Sequence, residues 1–364
     1  MIDQSEFSQA HYQQQLDNKI NNFKQAFKDA GLALPELAVY NSQAQGFRMR
    51  AEFRIWHEDG RAYYAMNNPG EKKPYKIDSF PIGSTLINNL MAPLLDAINT
   101  NLSLSYKLFS IEFLTTLSGE ALITLIYHRQ LDKLWEVEAQ KLQNALKIGI
   151  IGRSRKQKVI LDKDYVTETL TVNDRQYRYQ QVESGFTQPN AEVNCKMLSW
   201  ASHCLSYKQG DLIELYCGNG NFTVVLAQYF DRVLATEIAK ISVNSALVNF
   251  KQNHVTNVSV ARLSSEELTQ ALNKEREFRR LADIDLDSYN FSTIFVDPPR
   301  AGLDMGTEKL VTQFDNILYI SCNPISLINN LKSITKTHKI YKAALFDQFP
   351  WTDHVESGVY LQKI

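Results

Sequence analysis

The chain has 364 residues, 44% hydrophobic and 22% charged, with a net charge of −1. This is the composition of a globular protein of about two to three domains. It excludes a chain that holds nucleic acid by overall basic charge. No apolar run approaches the roughly 20 residues that a bilayer-spanning helix needs, so no membrane partner is expected.

The cysteines are Cys195, Cys204, Cys217 and Cys322. No two have C-x-x-C spacing, so neither a metal nor an iron–sulfur site is expected. Free thiols suit a reducing, cytoplasmic setting. The polar start, with Asp3 and Glu6, does not read as a secretory signal. Charge is unevenly spread: residues 41–165 carry 17 Lys and Arg against 13 Asp and Glu.

Taken in order, residues 1–31 read as one amphipathic helix. Leu16, Ile20, Phe23 and Phe27 form its apolar stripe, and its expected role is packing. Residues 47–55 read as a strand. Phe47, Met49, Ala51, Phe53 and Ile55 take one face, and Arg48, Arg50 and Arg54 the other. Such a row suits phosphate, although a solvated sheet face has the same pattern. Arg61, Lys72, Lys73 and Lys76, interleaved with Tyr63, Tyr64 and Tyr75, strengthen a nucleic-acid reading. A helix is expected over 84–99, strands over 107–114 and 121–127, and a helix over 132–146. Tyr106 and Phe109 could stack on displaced bases, with core packing the expected role of each. The run 149–158 is densely basic and includes Arg153. Its glycines, Gly149 and Gly152, are read as turns on an exposed edge.

These elements divide the chain into an N-terminal helix (1–40), an α+β domain (41–165), an extended connecting segment (166–185) and an α/β domain (186–364). In the last, strands over 212–216, 233–236, 258–261, 293–296 and 317–320 alternate with helices. Strands over 340–346 and 359–362 close the chain, giving a doubly wound sheet. A charged insert, 266–287, reads as a helical excursion on the surface.

Strand ends carry the chemistry, because open α/β sheets bind ligands at their carboxyl edge. The first ends in Tyr216-Cys217-Gly218-Asn219-Gly220-Asn221, a glycine turn that lets backbone approach a ligand. No Gly-Lys-Ser/Thr follows, so it is not a P-loop, and Thr223 stands where a dinucleotide fingerprint wants glycine. Glu237, ending the next strand, can accept hydrogen bonds from both ribose hydroxyls. Together with Asp297 before Pro298 and Pro299, this suits S-adenosylmethionine better than NAD. Cys322 ends the fifth strand, in Ile-Ser-Cys-Asn-Pro. Alone, such a cysteine reads as a small buried hydrophobe.

A methyl transfer to uracil C5 makes use of this set. A thiolate adding to C6 turns the ring into an enolate whose C5 is nucleophilic. A base must later remove the C5 proton. Glu356 supplies a carboxylate, with Asp353 and His354 competing on spacing alone. Arg300 is placed to hold the enolate oxygen or a phosphate.

Leu-Tyr-Cys-Gly-Asn-Gly-Asn-Phe, Phe-Val-Asp-Pro-Pro-Arg, Ile-Ser-Cys-Asn-Pro, Asp-Gln-Phe-Pro and His-Val-Glu-Ser-Gly resemble the bacterial RNA 5-methyluridine methyltransferases. Phe-Arg-Met-Arg-Ala-Glu-Phe-Arg-Ile-Trp-His and Phe-Thr-Gln-Pro-Asn extend the resemblance over nearly the whole chain. The resemblance implies a Rossmann-like, class I S-adenosylmethionine-dependent methyltransferase domain beside an N-terminal RNA-binding domain. It implies Cys322 as nucleophile, Glu356 as proton acceptor, and Gln188, Tyr216, Gly218, Asn221, Glu237 and Asp297 at the cofactor. No Cys precedes Cys195 and no small β-barrel opens the chain, which favours the tRNA branch, acting on a T-loop uridine, over the 23S rRNA branch. The alternatives are uridine in another RNA with a T-like loop or in rRNA, an RNA-folding module with methylation secondary, and a cytosine C5-methyltransferase. The last usually carries Pro before its reactive Cys, whereas Ser321 stands here. No obligate protein partner is evident.

Overall fold

A computed structural model describes residues 7–67, 70, 73–206 and 210–364. Lys72, named above in the basic cluster, lies outside them, as do Asp3, Glu6 and the rest of the first six residues. The chain forms two compact units, each discontinuous in sequence. One comprises Met1–His11, Gln43–Thr169 and Gln181–Ala191, and the other Tyr12–Ser42, Leu170–Gln180 and Glu192–Ile364.

The chain opens with helix α1 (Gln9–Asp29) and strand β1 (Leu37–Tyr40). The buried stripe of α1 is Tyr12, Leu16, Lys19, Phe23 and Phe27. Lys19, not Ile20, takes the inward position, because its ammonium finds a carboxylate there.

The first unit is built on a seven-stranded sheet in the order β4-β3-β2-β5-β6-β7-β8. Its strands are β2 (Arg50–Glu58), β3 (Arg61–Met66), β4 (Tyr75–Lys76), β5 (Leu108–Thr115), β6 (Ala121–Tyr127), β7 (Gly149–Ser154) and β8 (Gln157–Ile160). Helices α2 (Thr85–Asn99), α3 (Leu102–Ser105) and α4 (Lys133–Leu146) connect them. The period-two pattern of β2 turns Ala51, Phe53 and Ile55 into a core with Ile111, Phe113, Ile123 and Leu125. That face receives Ile87, Leu94 and Ile98 of α2 and Trp135 of α4. Each fully buried side chain of this kind stabilises the fold by about 1.5–3 kcal/mol. The Ser84 hydroxyl accepts from the Ile87 N–H, and Asp132 Oδ1 from the Trp135 N–H, so both long helices start on capped turns.

Two local expectations are corrected. Gly149 and Gly152 are not turn residues but lie inside β7, which pairs in parallel with β6. A Cβ on Gly152 would fall 2.3 Å from the Trp135 ring, so glycine is there for a close helix–sheet approach. The connecting segment is a hairpin of β9 (Tyr165–Val172) and β10 (Arg175–Val182). Its two turn residues, Asn173 and Asp174, have φ of 49° and 62°, as a tight primed turn requires.

The second unit carries an eight-stranded sheet in the order β1-β16-β17-β15-β14-β11-β12-β13. After α5 (Ala191–Leu205) come β11 (Asp211–Leu215), α6 (Thr223–Leu226), β12 (Val233–Thr236), α7 (Lys240–Gln252), β13 (Val258–Ala261) and α8 (Ser265–Leu272). Then follow β14 (Phe291–Val296), α9 (Met305–Val311), β15 (Asn316–Ser321), α10 (Pro324–Ile334), β16 (His338–Phe346) and β17 (Glu356–Lys363). The central strands β11, β14 and β15 are buried almost throughout, which explains their unbroken apolar runs. The expected doubly wound sheet is therefore present, with β17 antiparallel to both neighbours. The charged insert is helical only as α8, followed by two short 3-10 turns over 279–281 and 286–288.

Candidate active site

All the strand-end residues singled out above, apart from Gln188, lie in the second unit at the carboxyl edge of its sheet. The ladder brings them together: Leu215 pairs with Thr236 on one side and with Val296 on the other, and Val296 pairs with Tyr319. The turn after β11 is therefore flanked by Glu237 and Asp297, and Cys322 follows one strand further on.

The turn passes through the left-handed region, which only glycine enters freely. Tyr216 and Gly218 have φ of 60° and 57°. The Tyr216 hydroxyl donates to Ser265 Oγ at 2.8 Å. Glu237 Oε2 accepts from the Gly218 N–H at 3.1 Å, and Oε1 from the Ala239 N–H at 2.7 Å. Asn221 and Asn194 exchange amide hydrogen bonds at 2.9 Å in both directions. The Tyr179 hydroxyl donates to the Asn221 carbonyl at 3.0 Å. A fixed carboxylate beside a glycine turn fits an adenosyl ligand, whose ribose hydroxyls need acceptors.

Gln188 lies in the first unit, where its Oε1 is buried with no hydrogen-bond partner. An orphaned buried acceptor is costly unless a ligand donor meets it. Glu214, on β11 below the turn, has an equally orphaned Oε2. Burial pushes its carboxyl up to about 8. In the sequence Glu214 opens the E-x-x-x-G-x-G turn that favours S-adenosylmethionine over NAD, but it is not among the residues expected to touch the cofactor, because one acid in an apolar strand gives no direction of its side chain.

Ser321 pairs with Ser357 in the antiparallel β15–β17 ladder, and Phe346 pairs with Glu356 across β16–β17. Glu356 thus begins the strand beside the one that Cys322 ends. It is 5% exposed. Burial first, and then the Asp297 charge, push its carboxyl well above the usual range. Asp297 is pushed up to about 7 by removal from water. The Cys322 thiol is pushed up to about 11, by burial and then by Glu356 and Asp297, with Arg300 pulling the other way.

Cys322 opens into a cleft of about 580 Å³, which Arg300, Asp353 and His354 also line. Asp353 and His354 are exposed, unlike Glu356. The Asn323 amide donates to the Arg300 carbonyl at 3.0 Å and fixes one loop against the other. The far wall is α1, through Gln15, Asn18, Lys19, Asn22, Phe23 and Ala26. Beyond the packing expected of it, this helix also lines the cleft into which the thiol opens.

The basic residues fall into two groups. Arg50 donates to the carbonyls of Gly185 and Glu183 at 2.9 and 2.5 Å. Arg153 is paired with Glu183 at 2.5 Å, and Arg48, partly buried, donates to the Arg50 carbonyl at 2.9 Å. Arg54 remains exposed, 5.8 Å from the Phe109 ring centre. Phe109 and Tyr106 are 36% and 53% exposed, contrary to the core role expected of them. A register shift between Leu108 and Ser110 releases Phe109 from the buried face, where it stacks on His128 at 4.2 Å.

Among the described residues, no group of three or more His, Cys, Asp or Glu could hold a metal ion. No helix among them is long and apolar enough to cross a membrane.

Comparison with known proteins bears on this arrangement. A model of the tRNA (Uracil-5-)-methyltransferase family matches residues 11–364. A Cellvibrio japonicus protein named tRNA/tmRNA (uracil-C(5))-methyltransferase is 56% identical over 359 residues, 99% of this chain and 98% of that one. A Teredinibacter turnerae protein of the same name is 57% identical over 355 residues, 97% of each chain. The crystal structure of Pyrococcus abyssi tRNA (uracil-54, C5)-methyltransferase with S-adenosyl-L-homocysteine is similar, with a TM-score of 0.69. It covers 98% of this chain and 85% of that one, at 20% identity, a likeness of fold.

Proposed function

We propose, since this chain belongs to the tRNA (uracil-5-)-methyltransferase family, that it methylates C5 of a T-loop uridine in tRNA with S-adenosylmethionine as donor. The observation that carries the reading is the ladder that brings Glu356 beside the strand ending in Cys322, with Asp297 close enough to shift both.

The residues act as follows. The Cys322 thiolate adds to uracil C6, and the C5=C6 pair moves to give the enolate. Arg300, exposed on the cleft, steadies the enolate oxygen or a neighbouring phosphate. S-adenosylmethionine supplies the electrophilic methyl that C5 accepts. Glu356 then takes the C5 proton. The freed electron pair restores the C5=C6 bond, and the C6–S bond breaks to release the thiolate. Tyr216, Gly218, Asn221, Glu237 and Asp297 hold the donor. The carboxyl of Glu237 serves the ribose hydroxyls.

RNA binding belongs to the first unit, through Arg54, Phe109 and Tyr106. Arg48, Arg50 and Arg153 support that surface from the backbone and ion-pair contacts described above. The target base is flipped out of its loop, at about a few kcal/mol. We assign the work to the cytoplasm, which suits a tRNA substrate. The relatives' names include tmRNA, and we extend the proposal to it.

The test is mass mapping of methylated nucleotides after incubating the protein with total RNA from a strain lacking the activity. Methyl groups on T-loop uridine C5 support the reading, and a different base or position refutes it.

A further inference from the structure

Lys19 and Asp347 are 5% and 0% exposed and lie 2.7 Å apart. The ammonium also donates to the Phe349 carbonyl at 2.9 Å. Four residues before Lys19, Gln15 Oε1 accepts from the Trp351 N–H at 2.6 Å. Trp351 has φ of 66°, and its ring meets that of Tyr12 edge-on at 6.1 Å. One face of α1 is therefore fastened at three points to the loop joining β16 to β17.

That loop has two tasks. It begins directly after Phe346, the register partner of Glu356, and it ends at Glu356. Between them, Asp353, His354 and Val355 line the cleft into which Cys322 opens, and Lys19 lines the same cleft. Burying an ion pair brings little net stability compared with apolar side chains of similar size, so its value lies in fixing one arrangement. Here the arrangement fixed is the approach of the β17 start to the β15 end.

We propose that the Lys19–Asp347 pair is a positioning device for the reaction: it clamps α1 to the β16–β17 loop and so holds Glu356 in line with the Cys322 adduct. The inference rests on the reading of Glu356 as proton acceptor. The pair acts through the loop.

The experiment compares the full-length K19M/D347N protein with E356Q and the native chain. Removing both charges together avoids leaving Asp347 buried and alone, which K19M by itself risks. Three quantities are measured on tRNA transcripts: RNA affinity, kcat, and the fraction of protein trapped as a covalent RNA adduct on a denaturing gel. Displacing a reacting group by about 1 Å costs on the order of 100-fold. The expected result is affinity within about twofold of native, kcat lower by about 10- to 100-fold, and adduct accumulating as it does in E356Q. Native kcat and native adduct level in the double variant, with adduct accumulating in E356Q, overturn the inference. Loss of kcat and of affinity together without adduct also overturns it, since that is general destabilisation. Normal turnover by E356Q refutes the acceptor reading, and the inference falls with it.

Discussion

Ser321 stands opposite Ser357 in the β15–β17 ladder, one residue before Cys322 and one after Glu356. An antiparallel ladder moves one strand forward as the other moves back, so the two functional groups meet at the same step. The step is rigid because both strands are buried. Replacing Cys322 with Ala is expected to abolish methyl transfer without loss of fold, measured with a labelled methyl donor. Transfer near the native rate would remove the thiol from the mechanism.

Gly358 lies two residues into β17 from Glu356. A Cβ there would meet the Trp200 ring at 2.5 and 2.8 Å and Ile320 at 3.0 Å. Gly358→Ala is expected to destabilise the second unit by about 1–3 kcal/mol, the usual range for overpacking. Denaturant unfolding measures this, and an unchanged midpoint would mean that Trp200 has room to move.

The free thiol is predicted to be slow towards alkylation at neutral pH, because burial and two acids hold it up at about 11. Asp297, at about 7, is ionised above that pH and contributes its full charge at pH 8.5. Asp297→Asn removes the charge, lowers the thiol value and speeds iodoacetamide labelling of Cys322 at pH 8.5. Equal rates in the two proteins would show that Asp297 does not act on the thiol.

Glu214 gives a stability signature. Its folded-state value, about 8, lies above the usual carboxylate value of an unfolded chain. The folded state thus binds the proton more tightly, and stability is lost as pH rises from about 4.5 through about 8. The loss is of the order of a few kcal/mol. Glu214→Gln is expected to reduce that dependence, leaving the share of Asp297 and Glu356, measured by urea unfolding at pH 5 and pH 9. A slope identical to native would place the titration elsewhere.

For RNA, the fork of Arg50 is occupied by backbone carbonyls, whereas Arg54 is exposed beside Phe109. Arg54→Ala is expected to lower the salt dependence of tRNA binding by about 0.7 in the log–log slope, the share of one phosphate contact on a single strand. Arg50→Ala is expected to cost stability instead. An unchanged slope for Arg54→Ala would turn that face away from the RNA.

Much of this was legible in the chain. Alternation in residues 50–55 follows from sheet geometry, and the strand–turn–helix repeat after residue 211 follows from burial on both faces of a parallel sheet. The glycine turn at 216–220, Glu237, Asp297 and Cys322 could be placed because each follows an apolar strand. What failed was local. Gly152 looked like a turn because its neighbour, Trp135, is 17 residues away in sequence. The 165–182 hairpin was missed because its turn is Asn-Asp and lacks the glycine that marks such turns most clearly.

The sequence by itself determined which strands exist, which residues end them and what chemistry those residue types permit, because these depend on neighbours within a few positions. Only the tertiary structure decided that Glu356 reaches the β15 edge, that the Arg50 fork is occupied by backbone carbonyls while Arg54 is exposed, and that α1 lines the Cys322 cleft. Those outcomes depend on ladder register and on contacts across long separations, such as Lys19 with Asp347, 328 positions apart. Neither partner's neighbours in the chain specify that meeting. For Cys322 the division is the same: its place at a strand end is written in the sequence, while its buried acids come from other strands of the folded sheet.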